Sequence, residues 1–280
     1  MITPFQIYLE YQHIPVVTDH GPATAVVKHY RNAGRADTLT IGWQLLKEDM
    51  KSYFRPNARR DAAVAGAGPD SRQYLSHDGG SPHLASFGPA GNTRIELAFA
   101  GKLTPTDLKY FFEAFRSFWP HRQATLWNHL DTSSNPPYQK FADAYLGADC
   151  NSFVGSYILR RAPALFRGTE RSIDGYRDRR ALRQTLQQIR PGDLLLWGRN
   201  GSGDNIHIAA IDKVEVGGAT ASLTLAQAAN DNNVVGVDYR RGFTLEANAA
   251  GSINSAIPNL FHLRSGAMGG AFVDAYSVDR

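Results

Sequence analysis

The chain of 280 residues contains a single cysteine, Cys150, with only three methionines and four tryptophans. One thiol forms no intramolecular disulfide and cannot build a Cys-rich zinc site, so disulfide scaffolds and zinc ribbons are excluded and stability must come from packing. No run approaches the roughly 18 uninterrupted apolar residues of a transmembrane helix, so no membrane span is expected. The opening residues, MITPFQIYLEYQHIPVV, have no basic segment ahead of an apolar run, and Gln6, Glu10, Gln12 and His13 break their apolar positions. That pattern is not a Sec signal peptide, and synthesis in the cytoplasm is the expectation. Neither sign of charge dominates: 30 basic against 26 acidic side chains leave +4, too mild a field to imply nucleic acid. What is present, 42% hydrophobic and 20% charged residues, is ordinary globular composition.

The first hundred residues read as short strands: IYLEY at 7–11, TAVVKHY at 24–30 and TRIELAF at 93–99. They predict a small β-rich module over 1–100, ending in the Gly-, Pro- and Ser-rich stretch between about 60 and 92. Thr104, Pro105 and Asp107 then form a helix-start signal, followed by Leu108, Phe111, Phe112, Phe115 and Trp119 at helical spacing. Cys150, Phe153, Val154, Tyr157 and Ile158 place a second helix over 149–161, with the thiol at its N-terminus, and an Arg-rich third helix is predicted over 174–189. RPGDLLLWG after it reads as a turn followed by a strand, and further strands follow at 205–216, 219–229, 234–243 and 259–264, with Gly217 and Gly218 turning a hairpin. Helices followed by an antiparallel sheet predict an α+β domain over 101–280.

A nucleophilic cysteine needs its thiolate stabilised, and a helix start supplies both positive dipole and free N–H groups for an oxyanion. Cys150 has that placement. A base must come from elsewhere, and His207 sits in a strand among Ile206, Ile208, Ala209, Ala210 and Ile211, where an imidazole needs a reason to be buried. A third polar side chain orients such a ring: Gln227 on the next strand is the first choice and Asn230 the second.

These segments resemble a known family. Pro137-Tyr138, Asp149-Cys150-Asn151-Ser152-Phe153-Val154, Arg190-Pro191-Gly192-Asp193-Leu194 and His207-Ile208-Ala209 resemble, in order, the motifs of NlpC-type cell-wall peptidases, of the papain-like superfamily that also holds the CHAP amidases. The resemblance covers about residues 130–230. It implies a papain-like (NlpC/CHAP-type) domain with N-terminal helices packed on an antiparallel sheet. It also implies a Cys150–His207 mechanism without metal or cofactor, and a Tyr138 hydroxyl near the oxyanion site, with Asp149 and Asn151 flanking the nucleophile there. Asn151-Ser152 stand where Ser-Gly is usual, Gln139-Lys140-Phe141 replace the common Trp-Gly-Gly, and the third member is closer to the CHAP pattern.

The implied substrate is the peptide stem of peptidoglycan. A wall hydrolase made without a Sec signal must reach its substrate by another route, so the expectation is an antibacterial effector exported by a Sec-independent, type VI-like machine into the target-cell periplasm. Residues 1–100 would then dock the secretion apparatus, and an immunity protein would guard the producing cell. The rivals are a deamidase or protease toxin acting on a protein, and a non-catalytic binding module in which Cys150 is core. Three further features carry less: the Gly198–Gly203 run reads as a flexible connection, His77, Asp78 and His83 as a loop rather than a metal site, and Arg177, Arg179, Arg180, Arg183 and Arg190 as a solvated helix face.

Overall fold

Thr104 opens a helix as its side chain predicts: its hydroxyl accepts from the Asp107 N–H at 3.1 Å, and the Asp107 carboxylate accepts from the Thr104 N–H at 3.2 Å. The computed structural model describes residues 1–18, 21–30, 47, 50, 94–118, 137–166, 173–197, 207–231, 234–248, 259–265 and 268–279. Its elements are α1 (Pro4–Gln12), β1 (Ile14–Thr18), β2 (Gly21–Ala25), α2 (Arg94–Phe99), α3 (Pro105–Phe118), α4 (Pro137–Tyr145) and α5 (Cys150–Arg161). After four short 3-10 turns come β3 (Leu194–Trp197), β4 (Ile208–Gly217), β5 (Thr220–Asp231), β6 (Val234–Ala247), β7 (Phe261–Ser265) and β8 (Met268–Tyr276). None of the described helices is long and apolar enough to cross a membrane. The chain divides into two compact units, Glu10–Asp149 and Met1–Leu9 with Cys150–Arg280. The division falls between Asp149 and Cys150, whereas the sequence was read as 1–100 and 101–280.

The Glu10–Asp149 unit is built on aromatic rings. α3 packs on the β1–β2 hairpin, whose register runs from Ile14↔Ala25 to Thr18↔Gly21. Phe115 and Phe141 lie with ring centroids 4.1 Å apart, and Phe99 meets Phe141 edge-on at 6.0 Å. The strand expected over 24–30 stops at Ala25, because the Gln139 side-chain amide takes both Val26 backbone groups, accepting from its N–H at 2.8 Å and donating to its carbonyl at 2.9 Å. The strand expected over 93–99 is α2: Ile95, Ala98 and Phe99 are buried at helical spacing. Gly101, at φ 71°, ends it in a Schellman motif, with Gly101 N–H to Ala98 O at 3.2 Å and Lys102 N–H to Leu97 O at 2.8 Å.

The strand expected over 7–11 is likewise helical, within α1. Thr3 and Gln6 cap it reciprocally, at 3.2 and 2.8 Å, with Pro4 in the first helical position. Ile7 and Tyr11, four apart, are fully buried. A five-residue window of apolar residues fits either period, and the cap decides it. The described part of 1–100 is therefore two helices and a hairpin instead of a β-rich module.

In the other unit β3 to β8 form a closed antiparallel barrel in sequence order, with β3 pairing β8. Leu195, Ile211, Leu225, Phe243, Leu245, Phe261, Leu263 and Val273 fill one continuous core. The expected hairpin forms one residue later, turning at Gly218, φ 64°, and Ala219, with Gly217 paired to Thr220 as the last residue of β4. β8 has no strand signal in sequence, since MGGAFVDAY carries two glycines and an aspartate. One glycine is required there: a Cβ on Gly270 would lie 2.1 Å from the His262 ring.

The helix expected over 174–189 is replaced by 3-10 turns at Ile173–Tyr176, Arg179–Ala181 and Leu186–Gln188. Asp178 caps the second through the Arg180 N–H at 2.9 Å. Arg183 N–H is spent on Ala275 O at 2.8 Å, and Ser277 N–H on Ala181 O at 2.8 Å. Those bonds to β8 and the residue just after it compete with helical ones.

Candidate functional site

Cys150 is the first residue of α5 and 7% exposed. No acid occupies the first turn of α5, so no side chain there offsets the positive end of the helix dipole at Cys150, while Arg160 and Arg161 complement its negative end in the last turn. Asn151 and Ser152 follow it, buried. α5 packs along β4 and β5. His207 immediately precedes β4 and is half-buried; Gln227 lies within β5 and is 1% exposed. The two meet, His207 Nε2 lying 2.9 Å from Gln227 Oε1. An amide oxygen only accepts, so Nε2 carries the proton and Nδ1 is the basic nitrogen.

Two anchors hold the C-terminal half of α5. Tyr157 Oη donates to Gly192 O at 3.1 Å, and Arg161 grips Asp279 at 2.6 and 2.7 Å. Gly192 precedes β3 and Asp279 follows β8, and the pair Leu194↔Tyr276 puts both at one end of the barrel. His207 is at the opposite end, its carbonyl accepting from the N–H of Trp197, the last residue of β3. Cys150 stands about 10 Å along the helix from Tyr157, and His207 about 13 Å along the strand from Ile211, which bonds Gly192 and Asp193. The Tyr157 and Arg161 bonds tie the C-terminal half of α5 to the Gly192 and Asp279 end of the barrel.

The Pro-Gly-Asp turn has its own structural account. Gly192 is at φ 94°, and a Cβ there would lie 2.6 Å from the Tyr157 hydroxyl. Burial pushes that hydroxyl up to about 12, so it remains a donor. Asp193 accepts from Arg183 at 2.8 and 3.0 Å and from the Arg190 N–H at 2.9 Å. Burial raises the Asp193 carboxyl against those bonds.

Of the remaining expected residues, Tyr138 is half-buried on α4 and Asp149 is buried in an ion pair with Lys102, both in the Glu10–Asp149 unit. The Asp149 carboxylate thus has a structural partner. Asn230 lies farther along β5, opposite Val235, and the amide that meets His207 is that of Gln227. The arginines do not form one solvated helix face. Arg177 is turned inward to Asp274 at 3.5 Å and Arg183 to Asp193, while Arg179, Arg180 and Arg190 are exposed. The Gly198–Gly203 run and His77, Asp78 and His83 lie outside the described residues.

One neighbour of the site was not read from sequence. The Trp197 ring stands edge-on to the His207 ring, centroids 4.7 Å apart at 76°. Pairing LLLW against the His207 strand would have found it, since both runs were recognised as strands. Comparison with protein-family models, curated proteins and solved structures gives no match.

Proposed function

We propose that the chain is a cysteine amide hydrolase with Cys150 as nucleophile, His207 as base and then acid, and Gln227 as the group that orients the imidazole. One observation carries the reading: the His207–Gln227 hydrogen bond sits on the strands against which the Cys150 helix packs. In this mechanism His207 Nδ1 takes the thiol proton and the thiolate attacks the amide carbonyl. Backbone N–H groups at the start of α5 stabilise the oxyanion. The C–N bond breaks as the imidazolium protonates the leaving amine, and water, deprotonated by His207, releases the acyl group from the thioester.

The ordered motifs around these residues support a peptidoglycan stem-peptide amide as substrate, and delivery as a Sec-independent antibacterial effector guarded by an immunity protein. Purified protein and a folded Cys150→Ala control, incubated with isolated sacculi, test this by chromatography and mass spectrometry of the soluble fragments. New stem-peptide fragments are expected from the native thiol alone. Absence of fragments from several sacculus types, with a thiol that alkylates rapidly near neutral pH, would redirect the activity to a protein amide. A thiol inert until unfolding would leave a non-catalytic module.

A further inference from the structure

We propose that Trp197 is a positioning residue for His207, anchored by the buried Arg177–Asp274 pair; the inference rests on His207 serving as the base. His207 stands just ahead of β4. Three of the described contacts bear on it. Gln227 Oε1 takes Nε2 at 2.9 Å, the Trp197 ring packs edge-on at 4.7 Å, and the Trp197 N–H bonds the His207 carbonyl at 2.9 Å. The amide fixes one ring nitrogen, and the indole, 8% exposed, packs edge-on against the ring that the amide holds.

Trp197 is itself held at the last position of its strand. Arg177 Nη2 donates to the Trp197 carbonyl at 2.5 Å, and Arg177 Nη1 lies 3.5 Å from Asp274 Oδ2. Asp274 is fully buried on β8, opposite Leu196, and its Oδ1 accepts from the Leu260 N–H at 2.8 Å. A buried charge pair is costly to desolvate and contributes little net stability. Here it ties β8 and the turn region at Arg177 to the residue that faces the imidazole. The arrangement is a chain from Asp274 through Arg177 and Trp197 to His207, all within one unit.

The experiment compares the full chain with Trp197→Leu, which keeps apolar bulk without a ring, and Trp197→Phe, which keeps a smaller ring. The readouts are the His207 tautomer from imidazole nitrogen shifts and the rate of Cys150 alkylation at neutral pH; with an active substrate, kcat and KM are added. In the native chain the Nε2-protonated tautomer is expected to dominate, with its N–H visible by slow exchange with water. Trp197→Leu should mix the tautomers and lower kcat on the order of 10²-fold at nearly unchanged KM, and Trp197→Phe should restore most of both. A folded Trp197→Leu with native tautomer and native alkylation overturns the proposal. If that variant does not fold, a native His207 N–H that exchanges too fast to observe overturns it as well. An inert native thiol would defeat the hydrolase reading instead, while the tautomer data would still decide whether Trp197 holds the ring.

Discussion

The two units solve the problem of burial differently. Glu10–Asp149 closes its core with stacked and edge-on rings from α2, α3 and α4, and its charged groups pair locally, as Lys102 does with Asp149. The barrel unit fills its interior mainly with aliphatic side chains, beside Trp197, Phe243 and Phe261, and polar side chains such as Gln227 and Asp274 are buried elsewhere in the unit. Rings supply area without direction; hydrogen-bonded polar groups supply direction with little net stability. The candidate residues Cys150, His207 and Gln227 all lie in the barrel unit, and the aromatic unit should tolerate no cavity but carry no reacting group.

Phe141→Ala gives the largest expected effect on that contrast. It removes a ring shared by Phe99, Phe111, Phe115 and Tyr145 and should cost about 3–5 kcal/mol in urea unfolding. A loss below about 1 kcal/mol would show that the ring cluster is not what holds this unit. Gly192→Ala should cost about 1–3 kcal/mol, because it strains a positive-φ position and drives a methyl into the Tyr157 hydroxyl. Its thermal unfolding should be rescued in part by Tyr157→Phe, which removes the clashing oxygen; no rescue would place the strain in the backbone alone. The smallest effects are at the two helix starts. Thr104→Ala, at a buried cap, should cost about 2 kcal/mol, and Thr3→Ala, at an exposed one, about 0.5 kcal/mol. Equal losses would show that burial does not set the worth of these caps.

Those helix starts also show what the sequence could tell. Thr3-Pro4-Phe5-Gln6 and Thr104-Pro105-Thr106-Asp107 carry the same signal, a capping residue, Pro at the first helical position and a side-chain acceptor three residues on. The second was legible because five apolar residues at helical spacing follow it. The first was obscured because Ile7, Leu9 and Tyr11 alternate as a strand would. Gly101 was an unread stop signal for α2. β8 hid behind Gly270, whose missing side chain makes room for a ring on the neighbouring strand, and closure of the barrel depended on it.

At the site, Cys150 at a helix start and the pairing of His207 with Gln227 follow from local spacing and hairpin register, both short-range properties. Trp197 was within reach of the same reasoning, by pairing β3 with β4, whereas the Arg177–Asp274 pair is set by tertiary contacts that no local pattern encodes. The Arg-rich segment misled for a related reason. Its helical propensity was outweighed by backbone bonds to β8 and the residues beyond it, which only the tertiary fold supplies.

Met1–Leu9 cluster with the barrel, and the Phe5 N–H donates to the Asp212 carboxylate at 3.0 Å across 207 residues of chain. During synthesis at about 5–20 residues per second, Phe5 would wait about 10–40 s before Asp212 is made. A nine-residue helix is marginal alone in water. Its first turns thus emerge long before the surface that stabilises them, and completion of the barrel unit is deferred until the whole intervening segment has been translated.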